Sequence, residues 1–154
     1  MKKFMKKFIL GLFLILGAMS FAAPKFVDMA KVKNAGYVIK NEREDILTMA
    51  ISDDDSAIII SFSTANISSK EISDLLKSNA LRNSENFIAT LDNNRAYINE
   101  FEAQGFYSYM IVPKKEKVKN QHTYATYVSS KKLSKNDLSK ITDAILDEAE
   151  SYIK

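Results

Sequence analysis

The side chains able to do acid–base chemistry are few in this sequence. His122 is the only histidine, and imidazole is the side chain that most often acts as a general base. Glu100 and Glu102 lie two apart on a predicted strand, so their carboxyl groups share one face. Paired carboxylates serve as acid and base in glycoside cleavage, so these three residues define one hypothesis, a small periplasmic hydrolase. The plainer interpretation is a structural or solvated histidine and two outward-facing carboxylates.

Support for metal, nucleotide or thiol chemistry is weaker still. The sequence has no cysteine and only four glycines, which removes thiolate chemistry and leaves no Gly-rich phosphate loop. Asp53, Asp54 and Asp55 could offer oxygen ligands to Ca²⁺. They lack the alternate spacing and the terminal glutamate of a calcium loop, so they indicate a charged turn. No serine lies in a nucleophile-elbow motif. We therefore predict no metal, no cofactor and no enzymatic activity.

The first 22 residues have the pattern of a secretory signal peptide. Four lysines at positions 2, 3, 6 and 7 precede the apolar run FILGLFLIL at 8–16, and small residues follow it. Ser20 at −3 and Ala22 at −1 favour cleavage between Ala22 and Ala23. The apolar stretch is also shorter than the roughly 20 residues that span a bilayer. We therefore expect a periplasmic or secreted protein with no stable membrane anchor after cleavage.

Removal of this segment changes the charge balance of the protein. The whole chain has 22 basic and 19 acidic residues and a formal net charge of +3. Four of the basic residues belong to the signal, so the mature chain is close to neutral. Nucleic-acid binding requires a concentrated basic face, and we predict no such partner. The length that remains suits one domain with a single hydrophobic core that needs no disulfides.

Hydrophobic periodicity divides the mature chain into strands and two capped helices. Alternating or continuous apolar patterns predict strands at 37–40, 46–52, 57–63, 87–91, 95–104, 106–112 and 123–129. Helices begin at Ser68, which forms a capping box with Glu71, and at Ser134, with Asp137 at its N3 position. Hairpin connections make the sheet mainly antiparallel, so the predicted fold is α+β with about six or seven strands. Residues 23–35 form an N-terminal segment with the spacing of a short helix, and 36–154 form a single domain.

Both helices carry an apolar stripe that predicts the face they bury. On the first helix this face contains Ile72, Leu75 and Leu76, followed by Asn79 or Ala80. On the last helix the apolar residues recur at steps of three and four; they are Leu138, Ile141, Ile145, Leu146, Ala149 and Ile153. An open pocket between the sheet and this second stripe would indicate a third function, a small carrier of apolar ligands.

Several segments of the chain resemble one known superfamily. They are the strand AIIISFS at 57–63, the capped helix ISSKEISDLL at 67–76, the hairpin arm NNRAYINEFEAQ at 93–104, and the closing pair TYATYVS at 123–129 and SKNDLSKITDAIL at 134–146. Their layout is similar to that of the superfamily of the photosystem extrinsic protein PsbP and the Mog-type Ran-binding proteins. The resemblance implies an antiparallel sheet sandwiched between helices and a binding or assembly role. It implies no catalytic residue.

Two groups of side chains predict a contact surface. Aromatic residues, which are enriched at interfaces, concentrate in the second half of the sheet; those with predicted binding roles are Tyr97, Phe101, Tyr107 and Tyr109. The lysines at 114, 115, 117 and 119, with Lys131 and Lys132 nearby, form a predicted basic rim able to meet an acidic partner or an anionic envelope surface. Those with predicted binding roles are Lys114, Lys115 and Lys117. The leading hypothesis is therefore an exported, non-enzymatic binding or assembly factor that contacts an envelope protein through a sheet face or this rim.

Overall fold

The computed structural model describes residues 23–154. The predicted signal peptide and the Ala22 side of its cleavage site lie outside the described residues, so both stay predictions. The described chain contains three helices and seven strands, in the order α1 (Met29–Asn34), β1 (Val38–Arg43), β2 (Ile46–Ser52), β3 (Ser56–Thr64), α2 (Ser69–Arg82), β4 (Asn86–Asp92), β5 (Ala96–Ala103), β6 (Phe106–Pro113), β7 (Gln121–Ser129) and α3 (Lys135–Ser151). The α+β prediction is confirmed.

The seven strands form one antiparallel sheet in the order β1-β2-β3-β7-β6-β5-β4. It consists of two meanders that meet where β7 pairs with β3. Turns of two or three residues join the strands within each meander, except β6 and β7, which are joined by the longer polar connection 114–120. The long connection is α2, which carries the chain from the centre of the sheet at β3 to the far edge at β4. Because of this crossing, α2 lies over one face of the sheet.

The opposite face carries the main hydrophobic core. Alternate residues of the central strands point into it, among them Met49, Ile60 and Ile111, each fully buried. The helix α3 closes this core with a stripe of four buried apolar side chains, Leu138, Ile145, Leu146 and Ala149. Ile141 and Ile153 are partly buried at its margin, so the predicted stripe of the last helix is confirmed. Each such leucine or isoleucine contributes about 1.5–3 kcal/mol through burial, which fixes α3 on the sheet.

The helix α2 begins as its sequence predicts, but it buries a different face. Ser68 Oγ accepts from Glu71 N at 3.2 Å, and Glu71 Oε2 accepts from Ser68 N at 2.7 Å, which completes the capping box. Ile72 is buried as expected, whereas Leu75 is 54% exposed and Ser73 is only 4% exposed. The prediction for Leu75 is therefore wrong.

The geometry of a helix explains this rotation. At about 100° per residue, positions 69, 72, 73, 76 and 80 fall within an arc of about 100°, and Leu75 lies about 110° from the middle of that arc. A buried hydrogen bond favours the serine-containing face: Asn99 Nδ2 on β5 donates to Ser73 Oγ at 3.0 Å. Asn99 Oδ1 in turn accepts from Thr90 Oγ1 at 2.9 Å. A polar contact with the sheet thus orients α2. The spacing of the apolar residues alone does not predict this orientation.

Candidate functional site

A cleft of about 480 Å³ lies between the C-terminal half of α2 and the sheet face that α2 partly covers. We call it the α2 cleft. Its floor is formed by β2, β3, β6 and β7, and its wall by α2 and the turn that follows; the residues that line it are Ile46, Thr48, Ile59, Ser61, Leu76, Asn79, Ala80, Arg82, Asn83, Glu85, Met110, Tyr124, Ala125 and Thr126. Apolar and polar side chains alternate across this surface. It therefore suits a ligand with both kinds of surface.

The floor is ordered in rows because the strands are in register. One row pairs Ile59 of β3 with Thr126 of β7, and Thr126 with Met110 of β6. The neighbouring row pairs Thr48 with Ser61, whose hydroxyl oxygens lie 3.0 Å apart. Tyr124 extends that second row, and burial raises the pKa of its phenol, partly offset by hydrogen bonds with Ser63 and Ser61. Its proton is therefore held at neutral pH, and the phenol offers the cleft a neutral polar group.

The most unusual group of the cleft is the carboxyl of Glu85. The residue is only 6% exposed and lies where the cleft meets β6. Its Oε2 accepts one hydrogen bond, from Ser108 Oγ at 3.1 Å. Burial raises the pKa of Glu85, and the hydrogen bond from Ser108 opposes that rise. No ion pair within residues 23–154 involves this carboxylate.

The end of α2 determines where Glu85 points. The chain turns at Ser84, which has a φ of 63°, and this left-handed conformation is unusual for a residue other than glycine, asparagine or aspartate. Ser84 N donates to Leu81 O at 3.3 Å, and Glu85 N donates to Ala80 O at 3.1 Å. These two bonds are those of a Schellman motif, in which the residue at the position of Glu85 commonly packs back on the helix as an apolar side chain. Here a carboxylate occupies that inward position.

The three residues of the hydrolase hypothesis are not brought together. Glu100 is buried on the α3 side, where its Oε1 accepts from Tyr109 Oη at 3.5 Å and lies 3.8 Å from Lys132 Nζ. In the strand register Glu100 is level with Tyr109 and Tyr127. His122 stands five residues further along β7, which is roughly 16 Å at the rise of a strand. No common substrate atom could contact both side chains.

His122 and Glu102 instead have structural partners. The imidazole is 3% exposed, and its Nε2 lies 3.0 Å from Ala65 O, an acceptor, so Nε2 carries a proton. Its Nδ1 lies 3.5 Å from Glu116 Oε1, so the ring joins the β6–β7 connection to the end of β3. Glu102 accepts from Gly105 N at 3.1 Å and from Asn86 Nδ2 at 3.3 Å. Of the two interpretations given for His122, a buried structural histidine fits its surroundings.

The predicted aromatic surface is divided between the two faces of the sheet. Phe101 is fully buried beneath α2, together with Ala80 and Met110. Tyr109 is fully buried on the other face, where its hydroxyl accepts from Leu133 N at 2.8 Å, and Tyr107 packs beside the same core. These residues do not form one exposed patch, because strand alternation sends neighbours to opposite faces.

The predicted basic rim is largely engaged with carboxylates and with Tyr97. Lys114 Nζ lies 2.9 Å from Asp92 Oδ1 and 5.6 Å from the centre of the partly buried Tyr97 ring. Lys117 Nζ lies 2.9 Å from Glu150 Oε2, and Lys115 is exposed. Ion pairs at a surface are weak, so these lysines could exchange partners. Their charge is nevertheless partly neutralised within the protein.

Two further expectations concern metal ions and membranes. Asp53 Oδ1 accepts from Asp55 N at 2.9 Å and from Ser56 N at 2.7 Å, and these backbone bonds lower the pKa of Asp53. The aspartate run thus forms a turn stabilised by its first carboxylate. Residues 23–154 contain no group of three or more His, Asp or Glu side chains placed to hold a metal ion. Over the same residues no helix has both the length and the apolar character needed to cross a bilayer.

The carrier hypothesis placed a pocket beneath α3, where the stripe of that helix is instead packed into the core. The α2 cleft lies on the other side of the sheet. The sequence analysis predicts neither this cleft nor a role for Glu85. One signal was available: Glu85 lies two residues beyond the helix cap, at a position where an apolar residue is common. Compared with known proteins, the chain matches no family model, no curated protein and no solved structure. The resemblance to the PsbP superfamily therefore stays a prediction.

Proposed function

We propose that the mature chain is an exported, non-enzymatic binding protein that holds a small amphipathic molecule in the α2 cleft. The observation that carries this proposal is the cleft itself. Its volume of about 480 Å³ lies within the roughly 300–1,000 Å³ that is typical of small-molecule sites. Its lining combines apolar side chains, among them Ile46, Ile59 and Met110, with polar groups, and this combination gives such sites affinity and orientation.

The composition of the lining favours binding over catalysis. Among the described lining residues the ionisable side chains are Arg82, Glu85 and Tyr124. Hydrolytic acid–base chemistry generally uses two groups placed on either side of the reacting bond, with a base that can be ionised near neutral pH. Tyr124 is held protonated by burial, and Arg82 does not give up its proton in proteins. Glu85 alone is left for both tasks, which argues for a binding role.

Contact with an envelope protein is the second candidate function, and the exposed edge of β4 favours it. Phe87 and Ile88 on this strand are each 38% exposed, and β4 is the last strand of the sheet. An unpaired strand edge with apolar side chains can accept a strand from another protein. This surface differs from the lysine rim predicted from sequence, so the two ideas are separable by experiment.

The test is native mass spectrometry of the protein purified gently from its own envelope fraction. We expect a bound small molecule on the wild-type protein. Thr126→Phe, which places a ring on the cleft floor, should abolish the extra mass, whereas Thr64→Phe at the exposed end of β3 should retain it. A wild-type protein that carries no small molecule, or a ligand retained equally by the Thr126→Phe variant, would contradict the proposal. An extra protein in place of a small molecule would favour the second candidate.

A further inference from the structure

The strongest chemical signal in the α2 cleft is a buried carboxylate that pairs with no cation among residues 23–154. Glu85 is 6% exposed and its only described partner is the neutral hydroxyl of Ser108. Carboxylates that are this buried in proteins are normally paired with a cation or coordinated to a metal, because an isolated buried charge loses its hydration. The raised pKa of Glu85, caused first by burial, has the same origin. A cation supplied by a ligand would compensate for that loss.

A second feature of the same place also favours positive charge. The cleft wall includes the last turn of α2, where the backbone carbonyls give a helix its partial negative charge. Three residues of this turn and its cap, Ala80, Arg82 and Asn83, line the cleft beside Glu85. The helix has 14 residues, which is long enough for its terminal dipole to be fully developed. A ligand cation near Glu85 would therefore interact with two independent sources of negative potential.

The rest of the lining defines the remainder of the ligand. Besides Glu85, the floor offers the apolar side chains of Ile46, Ile59 and Met110, with the methyl-bearing Thr126 between the last two, and a row of hydroxyl groups beside them. These side chains offer an apolar surface that a hydrocarbon or aromatic body would cover. Arg82 is exposed at the rim, where its positive charge repels a cation but leaves the Glu85 end open. The cleft thus combines an apolar surface with a single anionic group.

We propose that the α2 cleft selects small molecules that carry a cationic amine on an apolar body, with the ammonium group held at Glu85. This inference rests on the proposed function, because it names the ligand class of the same cleft. It concerns binding only, so no bond is made or broken. The ammonium would donate to the carboxylate, and charge-assisted hydrogen bonds of this kind are stronger than neutral ones.

The experiment measures three probes of similar size by isothermal titration calorimetry at pH 7. Each has a phenyl ring on a four-carbon chain, and they differ in the group at the end of that chain: 4-phenylbutylamine, 4-phenylbutanol and 4-phenylbutyrate, whose fourth carbon is the carboxylate carbon. We expect the amine to bind at least tenfold more tightly than the alcohol, and the carboxylate most weakly. Glu85→Gln, which preserves an acceptor for Ser108, should reduce the preference for the amine to less than about twofold, in line with loss of the charge-assisted bond. The control variant Glu44→Gln removes an exposed charge from the β1–β2 turn and should leave the preference for the amine unchanged.

The outcomes separate the two proposals. If all three probes bind equally and Thr126→Phe weakens all of them, the cleft binds ligands but the amine inference is wrong. If no probe binds and no native ligand is found, both proposals are wrong. The ranking of probes on the wild-type protein does not depend on any variant folding correctly. Arg82→Gln gives an independent check, because removing the rim cation should strengthen amine binding and leave alcohol binding unchanged.

Discussion

The orientation of α2 decides whether the α2 cleft exists, and three substitutions on this helix test it. Asn99 Nδ2 donates to Ser73 Oγ at 3.0 Å, and Asn99 is only 3% exposed. Ser73→Ala removes the acceptor of this hydrogen bond. A buried donor left without a partner costs about 1–3 kcal/mol. Alanine regains about 0.5 kcal/mol in helix propensity relative to serine, so we expect a net loss of about 1–2 kcal/mol.

The matched substitution is Leu75→Ala on the same helix. Leu75 is 54% exposed, so truncating it removes little buried surface, and we expect a loss below about 1 kcal/mol. The apolar spacing predicts the opposite: a leucine in the buried stripe costs about 2–5 kcal/mol when cut to alanine. Ile72, which is 5% exposed, is buried in both interpretations. Ile72→Ala should therefore cost about 2–5 kcal/mol and serves as the positive control.

The assay is urea denaturation followed by circular dichroism, with the free energy of unfolding extrapolated to water. The order of destabilisation expected from the structure is Ile72→Ala first, Ser73→Ala second and Leu75→Ala last. If Leu75→Ala matches Ile72→Ala while Ser73→Ala has no effect, α2 is rotated relative to the structure. The face of α2 that lies against the sheet would then differ from the one that forms the wall of the cleft in the structure, and the reasoning behind both proposals would be refuted.

Two further predictions concern α3. Arg95, in the turn before β5, forms ion pairs with three carboxylates of this helix, at 2.6 Å to Asp147, 3.4 Å to Asp143 and 3.4 Å to Glu150, and its side chain is 34% exposed. Arg95→Ala should lower the free energy of unfolding by about 1 kcal/mol in low salt and by less in 1 M NaCl. An equal loss at both salt concentrations in urea denaturation would argue against an electrostatic origin. Burial, and to a smaller extent the hydrogen bond to Glu148, raises the pKa of Tyr152 to about 12. Because the tyrosine of the unfolded chain ionises at a lower pH, the free energy of unfolding should keep this contribution below pH 10 and lose it between pH 10 and about 12. Denaturation at several alkaline pH values should show a shallower fall for Tyr152→Phe; an unchanged slope would contradict this assignment.

The sequence predicts the strands and the main core well because their signals are local. Alternation in 46–52 and the continuous run AIIISFS follow from the period of a strand, and the caps at Ser68 and Ser134 follow from adjacent residues. The two signals that sequence reasoning misses are long-range. The bond between Ser73 and Asn99 joins residues 26 apart in sequence, and the bond between Glu85 and Ser108 joins residues 23 apart. Neither pairing is visible before the register of the sheet is known.

The end of α2 combines two locally unfavourable choices, and both act on the cleft. Ser84 adopts φ 63°, where a glycine would avoid a cost of about 1–2 kcal/mol. Glu85 occupies an inward position that an apolar side chain would fill without loss of hydration. A chain shaped only by stability would favour glycine followed by an apolar residue here, and local choices that oppose stability tend to mark functional sites. Because the same turn places Glu85 in the lining of the α2 cleft, the ligand proposed above would compensate for the cost at Ser84 and Glu85.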